Sequence, residues 1–174
     1  MSAVSPNDSS VQASEELVQA CRRLAAADPA QESDLALALT RLSNRLSSAL
    51  SARKALLAAQ EAVHLYQRQA DANPQHDTAP LARALNVFAL RLAEVGRRDK
   101  ALFESERAVS MQRMRVKGSR DGPPLSATAT DLADSLETLA LCLRESAREQ
   151  ESRAATREAD EIRDHLREHR TDHF

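Results

Sequence analysis

The chain has no tryptophan and only four aromatic residues, Tyr66, Phe88, Phe103 and Phe174. A surface that stacks nucleobases needs aromatic faces interleaved with cations, and that pattern is missing. Glycine is confined to Gly96, Gly118 and Gly122, which leaves no Gly-rich loop to cradle a phosphate and no nucleophile elbow. The cysteines are Cys21 and Cys142. Neither has a His or a second Cys close in sequence, and each falls at an apolar position of a predicted helix, where a thiol acts as a small hydrophobe; no disulfide is expected. No stretch approaches the roughly 18 uninterrupted apolar residues of a membrane span. Residues 1–14 are polar and Ser-rich, without the basic start and apolar segment of a secretory signal, so a cytoplasmic location and no membrane partner are expected. Lys plus Arg number 24 against 26 Asp plus Glu, a balance that does not draw the whole molecule towards polyanions.

What remains is Ala, Leu, Arg and Glu, the composition of helices packed through small and aliphatic side chains. At 174 residues the chain fits one domain. Breakers stand at Asp28-Pro29, at Asn73-Pro74 with Pro80, and from Gly118 to Pro124, each between long helical patterns. Within those patterns apolar residues recur at steps of three and four: Leu35, Leu39, Leu42 and Leu46, then Leu81, Leu85, Phe88 and Leu92, then Leu132, Leu136, Leu139 and Leu143. Shifts of 46 and then 51 residues superpose these stripes and carry the following helix with them, where Ala55, Ala59 and Ala62 fall on Ala101, Ser105 and Ala108 and on Ser152, Thr156 and Ala159. The unit is a helical hairpin written three times, large aliphatics on its first helix and small residues on its second. The pattern predicts helices over 12–27, 31–49, 53–72, 79–95, 98–117, 125–146 and 149–168, in a single repeat domain over 12–170 with tails at 1–11 and 171–174.

The hairpin resembles the tetratricopeptide repeat (TPR), in the longer-unit variety of kinesin light chain-like proteins. The middle copy matches best, with Leu85, Phe88-Ala89, Leu92, Gly96 at the turn, Ala101-Leu102 and Ala108-Val109. The first keeps Leu39, Leu42-Ser43, Leu46, Ala55-Leu56 and Ala62-Val63 but has Leu50 for the turn glycine. The third keeps Leu136, Leu139-Ala140, Leu143 and Ala159, with Ala147 at the turn and Ser152-Arg153 for Ala-Leu. Residues Glu15 to Ala27 match Glu61 to Ala72 and read as a second helix whose first helix is missing or unformed. The resemblance implies an all-α, short right-handed solenoid of about three hairpins plus this leading half-repeat, with atypical units at its ends. The last helix, rich in charge from Arg148 to Arg170, suits such an end.

By the same resemblance, the first helices line a concave groove that holds a peptide or protein. Its positions are Leu37, Thr40, Asn44, Ser47 and Ser48 on the first copy, Arg83, Asn86, Leu90 and Glu94 on the second, and Asp134, Glu137, Leu141 and Arg144 on the third. Arg and Asn there can bond a peptide main chain or carboxylate, and Leu90 and Leu141 can seat an apolar anchor. With Arg83 and Arg144 as its cations, this groove lacks the Lys-rich pattern of carboxylate-clamping chaperone adaptors.

Two other features are candidate sites. Arg97, Arg98, Lys100, Arg107, Arg113, Arg115, Lys117 and Arg120 make the fifth helix and its exit locally basic; cations towards a helix C-terminus suit its dipole, and a nucleic-acid partner is not expected. His165, His169 and His173 are four apart near the end, but a site at a fraying terminus is not expected to hold metal. Acidic residues interleave with Arg at helical spacing, the pattern of solvated, mutually paired faces, and solitary His64 and His76 add no base. No enzymatic activity and no cofactor are expected. The expectation is a protein-binding module, or alternatively a self-associating homodimer formed through the exposed terminal helix that carries Leu17, Cys21 and Leu24.

Overall fold

The structure, a computed structural model, describes residues 6–48, 51–73, 77–118 and 125–171. Among the described residues seven α-helices follow one another: α1 (Pro6–Ala27), α2 (Glu32–Ser48), α3 (Ala52–Ala72), α4 (Ala79–Glu94), α5 (Arg98–Gly118), α6 (Leu125–Glu145) and α7 (Glu149–Thr171). A short 3-10 turn, Pro29–Gln31, precedes α2, and the described residues contain no strand. The described residues are thus all-α and arranged as helical hairpins. α1 begins six residues earlier than the periodicity suggested, because apolar spacing marks a buried face while the first turn is set by Pro6, whose fixed φ suits the start of a helix. α7 continues to Thr171, past the expected end at 168.

The chain forms two compact units, Met1–Asp77 and Thr78–Phe174. In the first, α2 packs against both α1 and α3. Leu35, Leu39, Leu42 and Leu46 of α2 are buried with Val18 of α1 and Ala55, Ala59 and Ala62 of α3. Each such leucine contributes about 1.5–3 kcal/mol, and alanines opposite let the backbones approach. Asp28 caps the entry to α2 by accepting from the Ala30 N–H at 3.0 Å, and Glu32 and Asp34 lie in its first turn, where the helix dipole favours them. Arg68 of α3 pairs with Glu32 at 2.8 Å, and the Ser33 hydroxyl lies 3.1 Å from the Gln69 Oε1 that accepts from it, closing the open end of the hairpin.

In the second unit α4, α5, α6 and α7 pack in succession and α4 also meets α6. Val109 is buried with Leu132, Leu136, Leu143, Ala155 and Ala159. Thr156, expected among the small packing residues of the last helix, is exposed, and Ala155 is buried there instead. The Ser152 hydroxyl donates to the Ala140 carbonyl at 2.8 Å, a bond the alanines at the equivalent positions 55 and 101 cannot make. α6 carries a second buried stripe, Thr128, Ser135, Thr138 and Cys142. The Ser135 and Thr138 hydroxyls donate to the carbonyls of Asp131 and Asp134 on their own helix, which keeps their burial inexpensive. Burial pushes the Cys142 thiol up, partly opposed by a hydrogen bond with Ser105. Both cysteines are free thiols.

The hairpin turns repeat at the level of single hydrogen bonds. The Arg97 N–H donates to the Leu92 carbonyl and the Arg148 N–H to the Leu143 carbonyl, both at 2.9 Å, the closure of a Schellman cap around a left-handed residue. Gly96 supplies that residue in the first case with φ +76, and Ala147 in the second with φ 58. Ser51 N–H donates to the Leu46 carbonyl at 2.9 Å in the same way; Leu50, at the corresponding position, lies outside the described residues, as do His76, Arg120 and His173 and the side chains of Ser48 and His169.

Candidate functional site

Each expected groove residue is on the first helix of its hairpin. On α2 in the first unit, Leu37 and Asn44 are exposed while Thr40 and Ser47 are half-buried. The Thr40 hydroxyl donates to the Ala36 carbonyl at 2.9 Å and retains acceptor capacity.

In the second unit, α4 brings Arg83, Asn86, Leu90 and Glu94 to a helix that packs on α6, which carries Asp134, Glu137, Leu141 and Arg144. Leu90 and Leu141 are half-buried. Arg83 donates to Asp131 Oδ2 at 2.9 Å, and the same oxygen lies 3.4 Å from Arg115 of α5, whose guanidinium also donates to Gln112 Oε1 at 2.6 Å. These bonds fix Arg83 at the α4–α6 seam. Asn86, one turn on, is half-buried, and its Oδ1 is shielded from solvent without a hydrogen-bond partner.

Further along, Arg91 is 7% exposed and pairs with Glu94 at 3.2 Å. Burial lowers its guanidinium affinity for the proton, with Glu94 pulling the other way; it remains charged and restrains Glu94. On α6, Asp134 and Glu137 both accept from Arg163 of α7, Asp134 at 2.9 Å. The hydrogen bond from Arg163 holds the Glu137 carboxyl below its ordinary range, and Glu137 in turn raises Arg163. Arg144 is exposed. The strip thus carries both signs of charge around two leucines, with most of its charges held by neighbouring helices.

The basic run on α5 does not form one patch. Lys100 lies over the Phe88 ring at 5.7 Å and Arg107 over Phe103 at 5.9 Å; Arg107 also pairs with Glu104, Arg113 with Glu158 and Arg115 with Asp131. Among the described residues no group of three His, Cys, Asp or Glu could hold a metal ion, and no helix is long and apolar enough to cross a membrane.

An equivalent cleft, which apolar periodicity does not mark, lies in each unit. In the first, Glu15, Val18, Gln19 and Arg22 of α1 face Leu57 and Glu61 of α3 across a floor of Leu39, Leu42 and Leu46, enclosing about 560 Å³. In the second, Glu106, Val109, Ser110 and Arg113 of α5 border one of about 290 Å³ over Leu139. These are the same places in the repeat: Glu15, Val18 and Arg22 correspond to Glu106, Val109 and Arg113, and Leu42 to Leu139. Equivalent ion pairs stand at both clefts: Arg22–Glu61 at 2.5 Å, both partners lining the first, and Arg113–Glu158 at 2.6 Å, with Arg113 lining the second. At the third set of equivalent positions stand Gln67, which donates to Asp71 at 2.8 Å on its own helix, and Arg107, which pairs with Glu104 on its own helix. Carrying the alignment beyond the apolar stripes to the charged positions exposes the recurrence; periodicity alone does not.

No protein-family profile matches the sequence, and no curated protein matches it. Among solved structures the chain is similar to BtubC (BKLC) from P. vanneervenii, at 20% identity and a TM-score of 0.66 over 91% of this chain and 57% of that one. It therefore spans little more than half of that protein's length. MamA aligns at 11% identity and a TM-score of 0.40, over 96% of this chain and 99% of MamA.

Proposed function

We propose that this chain, a tetratricopeptide-type helical repeat protein by fold, is a binding module that holds a peptide or protein segment along its first helices. The observation that carries the reading is the α4–α6 strip, where half-buried Leu90 and Leu141 stand at repeat-equivalent positions between ion-paired Arg83, Glu137 and Glu94. A seat of two leucines suits an apolar anchor side chain, and ordered cations and carboxylates beside it suit the main-chain and charged groups of a peptide. Because Arg83 and Glu137 are already positioned by Asp131 and Arg163, little side-chain entropy is lost when a ligand bonds to them. In the first unit, considered by itself, Thr40 and Asn44 on α2 offer polar groups that a peptide main chain can bond.

The test is selection of peptides from a random display library on the full chain, followed by affinity measurement of the enriched sequences. Peptides with an apolar residue flanked by charge are expected, and Leu90→Asp or the pair Arg83→Glu with Asn86→Ala should each weaken binding by more than about tenfold. Enriched peptides that bind these variants as well as the parent chain would sink the assignment. The absence of a catalytic constellation in the sequence fits a binding role rather than an enzymatic one.

A further inference from the structure

α1 occupies the place of a second helix, and its uncovered face has a pattern of its own. Burial aligns α1 with α3 at a shift of 45 residues, which puts Val18, Val63 and Val109 at one buried position. At that register Leu17 corresponds to Ala62, Ala108 and Ala159, all of which are fully covered. Those residues meet the first helix of their own hairpin. Leu17 is 46% and Leu24 56% exposed on α1, and Ala13 and Ala27 are exposed beside them.

The face runs Ala13, Leu17, Ala20, Leu24 and Ala27, all exposed except half-buried Ala20, with steps of four, three, four and three. That is the 3.5-residue period of a two-stranded helical seam, leucine alternating with alanine. Glu16 and Arg23, both exposed, flank this seam on the same side, seven residues apart. The other flank, Ser14 and Cys21, turns into the unit, with Cys21 buried.

We propose that this face pairs with α1 of a second copy of the chain, antiparallel, about a two-fold axis near Ala20. In that arrangement Leu17 of each copy meets Leu24 of the other, and Glu16 of each lies beside Arg23 of the other, so two ion pairs close over four leucines. The pattern is its own complement under reversal, which a two-fold interface requires. A parallel pair in register turns the Glu16 and Arg23 flank of each copy towards the Ser14 and Cys21 flank of the other, which is packed into its own unit, so no Glu16–Arg23 pair forms. The charge pattern therefore selects both the occupant and its direction.

A seam of one helix per copy is at the small end of stable interfaces, below about 1,200 Å² in total, so association on the order of micromolar is expected. Sedimentation of the full chain from roughly 1 to 500 µM should show the mass climbing from that of a 19.1 kDa monomer towards twice that value. Leu17→Glu with Leu24→Glu should remain monomeric throughout, with helicity and thermal unfolding unchanged because both positions are exposed. Glu16→Arg alone and Arg23→Glu alone should each weaken the dimer by about tenfold or more, whereas the double variant, which restores opposite charges across the axis, should return to within about threefold of the parent. A parent chain that stays monomeric over the whole range overturns the proposal. So does a dimer indifferent to the single charge changes, or a double variant no tighter than the singles, since either places the contact elsewhere or in another direction.

Discussion

The turn residues of the hairpins show how one atom group sets a local cost. Position 96 and its equivalent at 147 both have positive φ, and the hydrogen bonds around them are the same. Gly has no Cβ to strain there, whereas an alanine in the left-handed region costs about 1 kcal/mol. Replacing Ala147 with Gly should therefore raise stability by about 0.5–1 kcal/mol, and Gly96→Ala should lower it by about 1 kcal/mol, both read from urea unfolding midpoints. No atom stands within 4 Å of a Cβ built at Gly96, so the expected loss is conformational rather than a clash; an unchanged midpoint in both variants would discard the account. This position was legible in the sequence because alignment with Gly96 marked Ala147 as the outlier. The burial of Arg91 beside exposed Glu94 was not legible: an Arg in a leucine-rich helix reads as solvated until its surroundings bury it.

At the scale of the element, α7 is joined to the hairpin by charge as well as by Ala155 and Ala159. Arg163 receives both Asp134 and Glu137 of α6. Glu137 titrates below its ordinary range chiefly because the Arg163 hydrogen bond favours its ionised form. A carboxyl with a depressed folded-state pKa stabilises fully above its unfolded pKa, and that contribution is lost as pH falls through the folded value. The side chain is half-exposed, so solvent screening holds the contribution to within about 1 kcal/mol. The stability difference between the parent and Arg163→Met should accordingly be present at neutral pH and shrink below the ordinary carboxylate range near 4.5. A difference that is the same at both ends of the titration would assign Arg163 a packing role only. The helices themselves were legible from the 3- and 4-residue spacing, apart from the start of α1 and the end of α7, where no apolar stripe marks the boundary.

At the scale of the molecule, the two proposed contacts belong to different compact units: the helix seam to α1 of the first and the leucine strip to α4 and α6 of the second. They share no residue. Leu17→Glu with Leu24→Glu should thus leave the affinity for a monovalent peptide held at Leu90 unchanged within about twofold, measured by calorimetry, since sites without shared partners act additively. A larger change would mean that the two surfaces are coupled. The sequence by itself determined the helical hairpins, their number and their small-against-large packing, because periodicity, breakers and repeat spacing act through the local backbone and through faces that must be buried. Only the tertiary structure decided which charges are engaged. Arg83 meets Asp131 across 48 residues, Arg163 meets Glu137 across 26, and Arg22 and Arg113 meet Glu61 and Glu158 at equivalent positions of the repeat. Charged side chains are compatible with either solvent or a partner, and the choice depends on which helix is brought alongside. The same rule leaves Leu17 and Leu24 exposed, since apolar periodicity says that a face can be buried but not whether anything in the chain covers it.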